Sequence, residues 1–115
     1  MIRAAKLHDV LRGDDTVQGR GVLVDRLWPR GVARDDVEWE WLKDVAPSPE
    51  LRTWFGHDVE KWEEFRRRYR AELDEGAGEA LAGEDNLTLL YAAADREHNH
   101  ALVLAEWLTD KVNNS

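Results

Sequence analysis

Two apolar runs constrain this chain more than anything else in it. Residues 87–94 are interrupted only by Thr88, and Val22, Leu23 and Val24 form a second run rich in β-branched side chains. Near-continuous apolarity over the length of a strand, in place of alternation, predicts burial on both faces, as in a parallel sheet. The residues between the runs carry helical punctuation, and a crossover of that length joins parallel neighbours. The expected fold class is α/β: a single domain over residues 1–115, with a short, mostly parallel sheet of roughly three to four strands flanked by helices.

The rest of the chain is read against those runs. Residues 2–7 read as a strand, and residues 8–21, rich in Gly and Asp, as a loop. The second strand is expected over 21–27. Residues 32–46 hold Trp39, Trp41, Leu42 and Val45 and predict a short helical turn without a clear period. Ser48 can cap a helix whose first residue is Pro49 and which Gly56 ends. Asp58 caps a longer helix running to about Asp74 and stopped by Gly76. Its stripe is Trp62, Phe65, Tyr69 and Leu73, with Glu72 the one polar intruder. Residues 76–86 form a loose connection. The final helix is expected from near Glu97 to about Val112, burying Ala101, Leu104, Ala105, Leu108 and Val112.

Composition narrows the function classes. Hydrophobic residues make up 43% of 115, with six Trp, enough for a packed core. Twenty-four acidic residues against sixteen basic leave a net charge of −8, which argues against nucleic acid and anionic membranes as partners. A GC-rich genome and a salt-adapted cytoplasm both fit that balance. The absence of Cys excludes a disulfide scaffold, a thiolate nucleophile and a Cys-ligated zinc. The N-terminus lacks a signal-peptide core and no apolar run could span a bilayer, so a cytoplasmic protein is expected.

Where the second strand should end, the chain turns polar: Asp25, Arg26, Leu27, Trp28, Pro29, Arg30, Gly31. A charge is costly to bury unless paired, so this segment looks like a site at a strand end. In open parallel sheets, ligands bind beyond the carboxyl ends of the strands. Arg26 and Arg30 offer planar forks for a carboxylate or phosphate. Trp28 between them could stack on a ligand. Asp95, His98, Asn99 and His100 follow the strand at 87–94 and reach the same edge. His98 could move a proton with Asp25 or Asp95 orienting it, and Asn99 could hold a ligand carbonyl. Against this, Asp95 or Asn99 could simply cap the last helix, and acidic neighbours could neutralise the arginines. A metal set from His98, His100 and Asp95 is disfavoured, because ligands two apart diverge on a helix. His57-Asp58 is no better, since Asp58 already serves as a cap. No metal or cofactor is expected. Arg66, Arg67, Arg68 and Arg70 read as a solvated face paired i to i+4 through Glu63–Arg67, Glu64–Arg68 and Arg70–Asp74, rather than as a nucleic-acid patch.

The run from Val22 to Gly31, then Trp41-Leu42-Lys43-Asp44, Ala46-Pro47-Ser48, Leu51-Arg52, Trp54-Phe55-Gly56-His57-Asp58 and Leu89-Leu90-Tyr91-Ala92-Ala93 with Asp95, His98 and Asn99, resembles the domain of unknown function 488 family, YeaO-like branch. The resemblance covers nearly the whole chain. It implies a compact intracellular bacterial or archaeal α/β domain and no established activity. Longer relatives carry a Cys-His-Arg element near the final strand, and this chain has His98-Asn99-His100 there. Its connection over 76–86 is shorter than the family's usual helix.

Two functional readings follow. In one, the chain binds a small anionic or nucleotide-like ligand at the strand ends, with acid/base chemistry as an extension. In the other, it is a non-catalytic protein-interaction module with an internally paired Arg cluster, and a homodimer is compatible with it.

Overall fold

The structure is a computed structural model that describes residues 1–114. Four strands form one all-parallel sheet in the order β1-β4-β2-β3. They are β1 (Ile2–Lys6), β2 (Arg20–Leu23), β3 (Glu40–Trp41) and β4 (Leu87–Tyr91). Four helices accompany them: α1 (Leu7–Leu11), α2 (Pro49–Phe55), α3 (Trp62–Glu72) and α4 (His100–Asn113). The class is α/β, as the apolar runs predict.

The pleat sorts side chains onto two faces. Val22, Val24, Leu87, Leu89 and Tyr91 pack with Leu51 and Phe55 of α2, Phe65 and Tyr69 of α3, and Ala101, Leu104 and Leu108 of α4. Alternate residues Ala5, Leu23 and Leu90 face a smaller cluster built from Leu7, Val10, Val17, Trp28, Val32, Val37, Trp39 and Trp41. One face is therefore covered by three helices and the other by a single short helix and aromatic loop residues. β4 is buried along its whole length, which accounts for its unbroken apolarity. Thr88, fully buried within it, accepts from the Gln18 amide (2.9 Å) and donates to the Gln18 carbonyl (2.7 Å), which stitches the first long loop to the sheet centre.

Several boundaries differ from expectation for local reasons. The loop over 8–21 opens with α1, one helical turn anchored by buried Leu7. β2 leaves the ladder after Leu23, although the Val24 amide still reaches the Leu90 carbonyl at 3.0 Å. β3 is only two residues long, too short for any pattern to reveal, and it is flanked by 3-10 turns over 34–36 and 43–45.

Ser48 caps α2, Pro49 begins it, and Gly56 ends it in the left-handed region (φ 53°), where a side chain would be strained. Asp58 caps a 3-10 turn over 59–61 that leads into α3, and the helix then widens into a π-turn over 73–77. Gly76, at φ 134°, supplies the kink. The last helix starts at His100, not near Glu97, because Asn99 is its cap. Its buried face is Ala101, Val103, Leu104, Trp107 and Leu108, while Ala105 and Val112 are only half-buried.

The intruding Glu72 has a specific role. Its carboxylate accepts from the Ser48 amide (2.8 Å) and the Ser48 hydroxyl (2.6 Å), tying the start of α2 to the end of α3. The arginines of α3 pair differently from the expected ladder. Arg66 and Arg67 bridge back three residues to Glu63 and Glu64, and only Arg68–Glu64 keeps the i, i+4 spacing. Arg66 and Arg70 also reach across to Glu106 and Asp110 of α4. No helix among the described residues is long and apolar enough to cross a membrane.

Candidate functional site

Because all strands run the same way, the segments that follow β2 and β4 emerge at one edge of the sheet. Asp25 joins them. Its Oδ2 accepts from the Ala92 amide at 3.1 Å, and its Oδ1 lies 3.1 Å from His100 Nε2. That nitrogen is also 3.0 Å from the Val24 carbonyl. Facing two oxygens, Nε2 carries the ring proton, and this assignment follows from the acceptors around it. The N–H is spent on Val24, so Asp25 Oδ1 receives an electrostatic contact without a hydrogen bond and is left buried with one bond short of satisfaction.

Arg26 turns the other way along the edge. It donates to the carbonyls of Ala46 (3.2 Å) and Pro47 (3.4 Å), the turn leading into α2, and lies 3.7 Å from Asp44. Its Nε is buried without a partner. Arg30 is exposed and has neither an ion pair nor a side-chain hydrogen bond among the described residues. The same holds for Arg52, carried on α2.

A cavity of about 420 Å³ opens at this edge. Asp25, Arg26, Leu27 and Arg30 line it after β2, and Ala92, Ala93, His98, Asn99 and His100 line it after β4. The α2 side and its flanks contribute Ala46, Pro47, Arg52, Phe55 and His57, and Phe65 of α3 closes the floor. His57 is the one residue other than glycine with a positive φ (59°) among the described residues, directly after the left-handed Gly56. Two successive left-handed residues turn the chain sharply there, at the cavity wall.

Of the residues singled out from sequence, Asp25, Arg26, Arg30, His98 and Asn99 share this cavity. Trp28 and Asp95 do not line it. Trp28 sits in the smaller cluster on the opposite sheet face: its indole N–H donates to the Val32 carbonyl at 2.7 Å, and its ring meets Trp41 edge-on at 5.3 Å. The Arg34 guanidinium covers it at 4.6 Å, a cation–π contact that occupies the face expected to stack on a ligand.

Asp95 shapes the loop before α4. It accepts from the amides of Glu97 (2.8 Å) and His98 (3.0 Å) and contacts His98 Nδ1 at 3.0 Å. Those bonds, the Glu97 amide foremost, hold its carboxyl below the usual Asp range. Asn99 is 2% exposed. Its Oδ1 caps Leu102 and its Nδ2 donates to the Asp95 carbonyl, so capping uses most of its capacity. His98 is half-buried between Asp95 and the edge of Trp62, at 5.3 Å between rings.

Arg52 and His57 line the cavity without belonging to the site expected from sequence. Arg52 did carry a signal. The positions three and four residues away hold Ser48, Pro49, Phe55 and Gly56, so no carboxylate on its own helix can reach it. The arginines of α3 all have such neighbours. His100, expected at this edge with His98 and Asn99, lines the cavity and meets Asp25. Among the described residues, no three His, Asp or Glu side chains gather as a metal set.

Chemically, the arrangement provides a concave, partly apolar chamber with positive charge at its mouth and an Asp–His contact at its inner end. A family model, DUF488-N3i, described as the inactive DUF488-N3 subclade, matches residues 1–115. The uncharacterized protein YeaO of Escherichia coli (strain K12) is 42% identical over 113 residues, covering 93% of this chain and 96% of YeaO. The uncharacterized protein Rv3073c of Mycobacterium tuberculosis (strain ATCC 25618 / H37Rv) is 40% identical over 115 residues, covering 96% of this chain and 95% of that relative. No solved structure matches the chain significantly.

Proposed function

Given that the chain belongs to the DUF488-N3i family, we propose that it binds a small anion in the cavity at the carboxyl ends of β2 and β4 and does not turn it over. One observation carries this reading. In a chain with 24 acidic residues, the two arginines without a partner among the described residues, Arg30 and Arg52, both line the same cavity. Every other arginine has a carboxylate, a carbonyl or an aromatic ring, as with Arg3–Asp15, Arg20–Glu40 and Arg96–Asp9. Free guanidinium forks beside a concave wall are suited to bidentate recognition of a carboxylate or phosphate. The family's description as inactive favours binding over catalysis. In this reading Asp25 and His98 hold the walls in place instead of moving protons.

Calorimetric titration with inorganic phosphate tests the proposal. Binding should weaken at least about tenfold in the Arg30→Ala, Arg52→Ala double variant, a loss of about 1.4 kcal/mol. Both side chains are exposed, so the stability of the fold should change by less than about 0.5 kcal/mol each. Undiminished binding in that variant, or large destabilisation with binding intact, would overturn it. Failure to bind any anion, together with self-association at working concentration, would favour the interaction-module alternative.

A further inference from the structure

We infer that the ligand of this cavity is a phosphomonoester on a flat apolar group: a small molecule with a dianionic head and an aromatic or heterocyclic body. The inference rests on the anion-binding reading above and specifies its chemistry.

Charge selects the head. Three arginines, Arg26, Arg30 and Arg52, and three of the chain's four histidines, His57, His98 and His100, line the cavity against a single carboxylate, Asp25. Its Oδ2 accepts from the Ala92 amide and its Oδ1 lies against the His100 ring. A monoanion satisfies one guanidinium fork and leaves the other facing solvent. A phosphoryl dianion presents three oxygens and can engage both Arg30 and Arg52, and the His57 ring can add an N–H donor.

The remaining surface selects the body. Phe55, Phe65, Ala46, Pro47, Ala92 and Ala93 form a wall with no side-chain polar atoms, and Leu27 stands beside it at 60% exposure. An inorganic ion would leave that wall wetted. The cavity, at about 420 Å³, falls within the range of roughly 300–1,000 Å³ typical of small-molecule sites and holds far more than a phosphate ion. Binding energy is available from covering that wall only if the ligand carries an apolar part. Positive rim and apolar floor in one chamber therefore call for an amphipathic ligand whose charge is concentrated at one end.

The test is a set of calorimetric titrations of the full chain with phenyl phosphate, inorganic phosphate, benzoate and a short phosphotyrosyl peptide, at one pH and one ionic strength. Phenyl phosphate should bind at least about tenfold more tightly than inorganic phosphate and than benzoate, and Arg52→Ala should remove most of that advantage over benzoate. Equal affinity for inorganic phosphate would overturn the apolar body, and equal affinity for benzoate would overturn the dianionic head. Either result leaves anion binding itself standing. Tighter binding of the peptide would overturn the small-molecule assignment. Absence of binding by all four would remove both this inference and the reading beneath it.

Discussion

Ser48 closes two structures with one hydroxyl. Its Oγ accepts the Leu51 amide at 3.2 Å to cap α2 and donates to Glu72 Oε2 on α3. Ser48→Ala should cost about 1–2 kcal/mol in a urea titration. Ser48→Gly should recover only part of that, because the Glu72 bond is lost in both. Gly78 presents the opposite case, in which any added atom harms. A Cβ there would stand 2.4 Å from Cζ3 of Trp107, whose indole is held by a 2.8 Å bond to Asp74. Gly78→Ala should destabilise by about 1–3 kcal/mol by the same measurement, and a neutral result would show that Trp107 can give way. At this scale the sequence exposed some of the site and hid the rest. Charges directly after an apolar strand mark Asp25, Arg26 and Arg30 as strand-end residues. The place of Trp28 is not legible, because a turn has no period to say which face of the sheet it will meet. Arg52 was legible only by noticing which carboxylates it lacks.

At the scale of elements, periodicity described the helices well and their neighbours poorly. Leu104 lies on the face of α4 that the spacing predicts and is fully buried among the strands and helices. Leu104→Ala should cost about 2–5 kcal/mol, and a loss below roughly 1 kcal/mol in denaturant would contradict that packing. The face is wider than the predicted stripe, since Val103 and Trp107 are buried as well. A helix packed on both a sheet and another helix needs two adjoining apolar stripes, and a single-stripe reading finds only one. The same limit explains the arginines of α3. Local spacing nominates partners on the same helix, whereas Arg66 and Arg70 spend charge on Glu106, which no local pattern connects to them. β3 fell below the length at which any pattern exists.

For the molecule as a whole, ion pairing predicts a one-sided response to acid. Arg67 and Arg68 hold the Glu64 carboxyl down to about 2, and hydrogen bonding to Arg96, foremost, holds Asp9 below its usual range. Asp95 is depressed by its backbone bonds. A carboxyl whose pKa is lower in the folded state contributes stability that is complete above its unfolded value and lost as pH falls toward its folded one. The window therefore runs from near 4.5 down to about 2 for Glu64, and Asp9 and Asp95 add to it below 3.8. Urea midpoints should stay level from about pH 7 to about pH 5 and then fall through that window. These groups are half-buried at the surface and remain within reach of solvent ions, so molar salt should weaken the fall, and an unchanged midpoint at pH 3 would show that the pairs contribute nothing. The class of fold was legible at this scale because burial on both faces leaves an unmistakable apolar run. The asymmetry of its two faces was not, because aromatic loops cover one of them.

The strand order also has a consequence for how the protein is made. β1 hydrogen-bonds to β4 alone, with Ile2 beside Leu87, and β2 meets β4 on its inner side. During synthesis β1 emerges from the ribosome with no partner and waits for β4 to follow. Until Tyr91 has cleared the exit tunnel, only the two-residue pairing of β2 with β3 can form. Such long-range closure is slow and leaves apolar edges open meanwhile. Nascent chains arrested before Leu87 should therefore be digested readily by protease, and those arrested well beyond α4 should resist it, with little protection gained at any length between.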